Sequence, residues 1–147
     1  MDTDLHTATH QPAVTAFLAG AHIARLATCS PQTGQPHVVP VWYQWDGEGL
    51  WISSFRSTRK VKELRLNPRF SLAIDTAQPG EPVRGVIFEG RVELIEDHQE
   101  AARRGFLVYA RYLGEAGARA EEPQSWLNDP EHLLIHCLPE KVHVFGL

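Results

Sequence analysis

Hydroxyl and cationic side chains crowd one short run, Ser53-Ser54-Phe55-Arg56-Ser57-Thr58-Arg59-Lys60, which leads into VKELRLNP. Read as a strand end feeding a helix from about Ser57 to Asn67, it places three cations, Arg56, Arg59 and Lys60, at the first turn. The amide dipoles already put partial positive charge at that end, so the helix repels the cations that begin it. Two arrangements reconcile them. Either the side chains are solvated, at a cost of roughly 0.3–1 kcal/mol each, or an anion occupies the helix end. In the second case free N–H groups, the hydroxyl of Ser57 or Thr58, an arginine fork and a lysine converge on one phosphate.

Other groups with chemical potential have plainer readings. His132 and His136 have the spacing of two metal ligands on a helix, but HLLIHCL reads as a strand. On a strand they lie roughly 13 Å apart, too far for one ion, and no metal site is expected. His37 is the titratable group nearest the proposed site, although a polar residue at a strand end is the simpler reading. Cys29 and Cys137 form no CxxC and read as small buried hydrophobes. The chain contains neither a G-x-S-x-G elbow nor a G-x-x-x-x-G-K-[ST] loop.

The elements that must position the basic cluster follow from the pattern. A short helix begins at Pro12, with Val14, Phe17, Leu18 and Ala21 on one face and Gly20 at its end. HIARLATCS, PHVVPVWYQW and LWISSF read as three strands joined by the turns PQTGQ and DGEG. Pro40, in the middle of the second, marks an edge strand or a bulge. RFSLAIDT and VRGVIFEGRVELI follow the basic helix, separated by AQPGEP. In the latter strand Val86, Phe88, Val92 and Leu94 share one face, and Glu89, Arg91 and Glu93 the other, as in a half-buried antiparallel strand. A long helix comes next, with Asp97 and Glu100 spaced as a capping box and an apolar stripe of Phe106, Tyr109, Ala110 and Leu113. One short helix is expected near Ser125-Trp126-Leu127. Two last strands, HLLIHCL and KVHVFGL, are joined by Pro139-Glu140.

Such a count of short strands predicts a mainly β protein, a small closed antiparallel barrel with helices outside. At 147 residues the chain fits a single domain. It divides into an N-terminal helical segment (1–21), a barrel core with one helix (22–95), a second helical segment (96–130) and C-terminal strands (131–147). The net charge of −4 argues against nucleic-acid binding. The polar opening MDTDLHTATH has no leader-like apolar core, and no run approaches a membrane span. The sparse cysteines point to a reduced, cytoplasmic protein.

Three features now carry a resemblance: the LAT-turn-G-x-P-x-V-V-P-V-W-Y hairpin, the S/T-R-K-x-x-x-L-x-x-N-P helix and the E-G-R-V-E strand. Together, over roughly His22 to Leu113, they resemble the pyridoxamine 5'-phosphate oxidase-like superfamily of split-β-barrel flavoproteins, whose relatives include flavin/deazaflavin oxidoreductases. The resemblance implies a split barrel of six to seven antiparallel strands with flanking helices, paired as a homodimer with two cofactor sites at the subunit interface. It implies that Arg59 and Lys60 hold the cofactor phosphate, with Thr58 as the hydroxyl before them. Val38, Val39, Pro40, Val41 and Trp42 then line the isoalloxazine ring, and Ser53 and Ser54 lie beside the ribityl-phosphate chain. Arg84 and Gly85 fall where the partner subunit reaches the cofactor. Gly85 stands where pyridoxamine phosphate oxidases tend to have a glutamine, and their C-terminal Arg/His motif is missing from KVHVFGL. The expected function is therefore an FMN-dependent oxidoreductase acting on a small organic substrate other than pyridoxamine phosphate. The alternatives are a coenzyme F-420-dependent reductase, whose acidic tail could draw on Arg56, Lys62 and Arg65, or a non-catalytic binder of flavin or a haem-related ligand.

Overall fold

The computed structural model describes residues 4–147. Residues 1–3, the start of the stretch read as lacking a leader, lie outside the described residues. Two short helices open the chain. The first, α1 (Leu5–Thr9), was not expected; Asp4 caps it by accepting the Thr7 N–H at 2.9 Å. The second, α2 (Pro12–Ala19), begins at the proline and buries Val14, Phe17 and Leu18, while Ala21 lies beyond its end and is exposed.

Seven strands make one sheet in the order β2-β1-β5-β6-β7-β4-β3, every neighbouring pair antiparallel. They are β1 (Ala24–Cys29), β2 (Pro36–Val41), β3 (Gln44–Trp45), β4 (Leu50–Phe55), β5 (Arg69–Thr76), β6 (Arg84–Ile95) and β7 (His132–Phe145). The ladder does not close: β2 and β3 are its two edges. The barrel is split rather than closed, a half-barrel curled around the core. The run PHVVPVWYQW, expected as one strand, breaks at Trp42-Tyr43 into β2 and β3. Pro40 sits on the edge strand, the place where a missing N–H is tolerated.

The two C-terminal strands are in fact one. β7 runs through Pro139-Glu140 because β6 takes up the irregularity: the register shifts between Glu89 and Gly90. A Cβ on Gly90 would stand 2.2 Å from the Leu138 carbonyl oxygen, so glycine lets the two backbones pass.

Alternation along β4 and β7 explains why these strands are apolar on both faces. Leu50, Ile52, Leu133, Ile135 and Cys137 enter the core inside the sheet with Leu26, Leu72, Ile74, Val86 and Phe88. Trp51 and Leu134 point the other way, into a second cluster under α4 (His98–Ala118) and α5 (Glu121–Asn128). α4 is interrupted at Gly114, whose φ of 75° is a left-handed conformation natural to glycine. Of the expected stripe Tyr109 is buried and Phe106 and Ala110 are partly buried against this second cluster, while Leu113 is exposed; Ala101, Gly105 and Val108 extend the buried face. Half of the capping box forms: Asp97 accepts the Glu100 N–H at 2.9 Å, while the Glu100 carboxylate holds Arg103 instead. Among the described residues no helix is long and apolar enough to cross a membrane.

Candidate functional site

The basic helix, α3 (Arg59–Leu66), starts two residues later than expected, with Thr58 as its N-cap. This removes Arg56 from the first turn. Its Nε donates to Glu96 Oε1 at 3.2 Å and its Nη1 to the Pro130 carbonyl at 2.6 Å. Arg65 binds the same carboxylate, and hydrogen bonds from Arg65 and then Arg56 hold the Glu96 carboxyl down at about 2. Arg56 and Arg65 therefore link β4 and α3 to the end of β6 through one exposed carboxylate.

Thr58 does not cap the helix with its side chain: its Oγ1 donates backwards to the Phe55 carbonyl at 2.9 Å. The N–H groups of the first turn have no intrahelical acceptors, and no acidic residue stands in that turn. Lys60, second in the helix, is half-buried, and burial lowers its pKa. Among the described ion pairs it has no carboxylate partner. A cation at the positive end of a dipole, partly desolvated and unpaired, is a local deficit of negative charge.

Lys60 lines a groove of about 460 Å³ together with Pro40, Val41, Trp42, Ser53 and Tyr109, and Ile23 at its side. Five residues singled out in the sequence thus meet: Pro40, Val41, Trp42, Ser53 and Lys60. Trp42 is held by stacking on Tyr112 (4.7 Å between centroids, 6° between planes) and by the edge of Tyr109 at 6.1 Å. Tyr112 is itself anchored by donating to the His22 carbonyl at 2.6 Å. The result is a rigid wall, apolar and partly aromatic, with a cation beyond it.

The remaining predicted residues lie elsewhere. Ser54, on the opposite face of β4 from Ser53, is buried and sits 3.3 Å from Thr58 Oγ1. Arg59 leaves the helix end on another side. It lines a second groove of about 340 Å³ with Ser30, Gln32, Ser57 and Lys62, and its Nε donates to Glu63 Oε2 at 3.1 Å. Glu63 is buried; a bond from Thr28 at 2.7 Å, with Arg59, keeps its carboxyl ionised. The Arg59-Lys60 clamp is therefore split between two grooves. Val38 is 62% exposed on the edge strand, and Val39 packs against the core. Arg84 and Gly85 begin β6 opposite Thr76 and Asp75 and do not line the groove. A Cβ on Gly85 would stand 2.7 Å from the Ile74 carbonyl, so this strand cannot carry a glutamine there without shifting. His37, on β2, does not line the groove either.

Two groups escaped sequence reasoning, Tyr109 in the groove wall and the buried His132. Ser53 Oγ lies 2.6 Å from the Tyr109 hydroxyl and 2.7 Å from His132 Nε2. Tyr109 had the look of one member of an apolar stripe, and His132 of half a metal pair. Their meeting depends on the register of β7 against β4, Phe55 opposite His132 and Ser53 opposite Leu134, and on α4 crossing that face. Burial, with the charge of His98, lowers His132 to about 4, so its imidazole is neutral near pH 7. Burial raises the Tyr109 hydroxyl. His136 does lie on the same strand, but stacks on Trp51 at 3.6 Å, far from any joint role with His132.

The residues present suit a planar ring bearing a phosphate: a flat apolar wall, an unpaired half-buried ammonium and an uncapped helix end. The profile of the family described as "Pyridoxamine 5'-phosphate oxidase" matches residues 10–144. No curated protein sequence matches the chain. Among solved structures, a conserved hypothetical protein from Mycobacterium tuberculosis is similar at 26% identity and a TM-score of 0.76, over 91% of this chain and 83% of that one. An F-420 reductase is similar at 23% identity and a TM-score of 0.69, over 87% and 94%. The haem storage protein HutZ from Vibrio cholerae is similar at 18% identity and a TM-score of 0.72, over 91% and 93%. Below 25% identity the likeness speaks for the fold alone.

Proposed function

The chain belongs to the pyridoxamine 5'-phosphate oxidase family, and from that premise we propose that it binds FMN in the Lys60 groove and acts as an oxidoreductase on a small organic substrate. The observation that carries this reading is Lys60, a half-buried cation at a helix N-terminus with no carboxylate partner among the described residues. A phosphate there removes the electrostatic conflict. Bound flavin supplies the hydride chemistry. The protein's residues have simpler tasks. Lys60 and the first amides of α3 hold the phosphate, and Arg59 adds charge from the neighbouring groove. Pro40, Val41 and Trp42 flank the ring and exclude water from one side. The active form in this proposal is a cytoplasmic homodimer, in which Arg84 of a second copy completes each site.

Coenzyme F-420 is the second reading, favoured by one feature. The smaller groove, with Arg59 and Lys62 beside Ser57, suits an acidic tail extending past the phosphate. Against it, Arg56 and Arg65 are already engaged with Glu96. Titration with FMN and F-420, followed by fluorescence and absorbance, tests both. The expected result is micromolar or tighter uptake of FMN, weaker uptake of F-420, and accelerated reoxidation by one acceptor in a panel of quinones, enones and tetrapyrroles after anaerobic reduction. Uptake without acceleration by any acceptor means a carrier rather than an enzyme. Uptake of neither cofactor overturns the proposal.

A further inference from the structure

Ser53, Tyr109 and His132 pose a question of hydrogen accounting. Three groups share two hydrogen bonds, with Ser53 in the middle. Neither hydroxyl has another partner among the described residues, and Ser53 and Tyr109 both line the groove. The imidazole Nδ1 is buried with no partner among the described residues. The neutral ring carries one hydrogen, on Nε2 or on Nδ1.

The two tautomers give the groove opposite characters. With the hydrogen on Nδ1, Tyr109 donates to Ser53 and Ser53 donates to Nε2. Both hydroxyl hydrogens are then consumed, and the groove meets only lone pairs. With the hydrogen on Nε2, three hydrogens serve two bonds and one hydroxyl hydrogen is left over. It belongs to Tyr109 if Ser53 donates to the phenol, or to Ser53 if it accepts from both sides. Both sites open on the groove. The first tautomer would bury an N–H with no acceptor, and such orphans are rarer in folded proteins than underused acceptors. The chain makes close room for this ring: a Cβ on Gly105 would lie 3.0 Å from His132 Cε1 and 3.1 Å from Nε2.

We propose that His132, through Ser53, fixes the Ser53–Tyr109 pair as a hydrogen-bond donor to the ligand, so that the groove selects a conjugated ring presenting a carbonyl oxygen or an imine-type nitrogen to that wall. Tyr109 is then a ligand-binding residue and His132 a positioning residue. The inference deepens the flavin reading and rests on it for the identity of the ring.

The polarity is testable without any cofactor. In the full chain labelled with 15N-histidine, NMR near neutral pH should find His132 protonated on Nε2; protonation on Nδ1 overturns the proposal. The second measurement uses FMN as probe. The double variant Ser53→Ala, Tyr109→Phe should weaken binding by roughly 3- to 10-fold, the worth of one net hydrogen bond, and shift the absorption bands of the bound flavin. His132→Gln, whose amide can still donate to Ser53, should bind FMN like wild type, and so should His132→Leu, in which two hydroxyl hydrogens serve one bond and one is still left for the ligand. Unchanged affinity and spectrum in the double variant Ser53→Ala, Tyr109→Phe, with the thermal transition intact, overturns the proposal. A wild-type protein that takes up no FMN overturns the flavin reading, while the tautomer still decides the donor.

Discussion

Replacing Lys60 by methionine should make the empty protein more stable and the loaded protein weaker, a pair of opposite signs that few substitutions produce. Methionine keeps most of the apolar stem and deletes the charge. In the empty protein that charge stands at the second position of α3, where no acidic side chain in the first turn balances it. Relieving a cation at a helix N-terminus is worth about 0.3–1 kcal/mol. Partial burial of Lys60 adds to this in the same direction, since desolvation already disfavours its charged form. For a chain of this size the thermal midpoint should rise by roughly 1–4 °C. With FMN bound, the lost contact is a hydrogen bond to a charged group, worth about 1.5–3 kcal/mol. Affinity should therefore fall roughly 10- to 150-fold. Thermal unfolding of wild type and Lys60→Met, each with and without saturating FMN, reads both effects from one experiment. If the variant is less stable when empty and binds FMN as before, Lys60 is a packing residue and the electrostatic account of the site fails.

Further outcomes follow from the same geometry. Glu96 is held at about 2 against an ordinary 4.5, so its stabilising effect is complete above about pH 4.5 and is lost as the pH falls toward 2. Glu96→Gln should lower the urea midpoint at neutral pH and converge with wild type in strong acid. His132 behaves in the reverse chemical sense but along the same axis. Its folded value near 4 lies below the ordinary 6.5, so protons favour the unfolded chain between them and stability declines as pH falls from about 6.5 to 4. His132→Gln should flatten that slope in pH-dependent unfolding. Gly90→Ala should be among the most damaging single changes, about 3 kcal/mol or more. Its Cβ meets the Leu138 carbonyl at 2.2 Å and the Glu140 nitrogen at 2.9 Å, backbone atoms that cannot step aside, and a calorimetric melt would register the loss.

Much of the fold was legible because local rules and tertiary placement agree. RFSLAIDT is β5 to the residue, Pro40 marks an edge, and the Asp46-Gly47 turn closes the hairpin of β3 and β4, its carboxylate accepting the N–H groups of Glu48 and Gly49. The errors came where a distant contact overruled a local signal. Pro139 reads as a strand break, yet a bulge around Gly90 on the partner strand absorbs it. Arg56 and Arg59 look alike beside Lys60, but carboxylates 40 and four residues away claim them. The cation at the helix start stood out by spacing, and the apolar wall beside it was named through the family resemblance. The hydroxyl pair was not, because Ser53, Tyr109 and His132 come from β4, α4 and β7, and only the register of two strands and the path of a helix bring them together.

The edge strand β2 has a bearing on how the molecule behaves in concentrated solution. Pro36 and Pro40 have the same parity, opposite Cys29 and Arg25, and a proline in a ladder faces its missing donor outward. Of the outward positions 36, 38 and 40, only Val38 then offers an N–H. A strand from another molecule arriving at this edge would find one donor where three are needed, so fibre-like growth by sheet extension is blocked at its most exposed margin. Whatever associates there must be recognised by side chains, beginning with the bare isopropyl group of Val38.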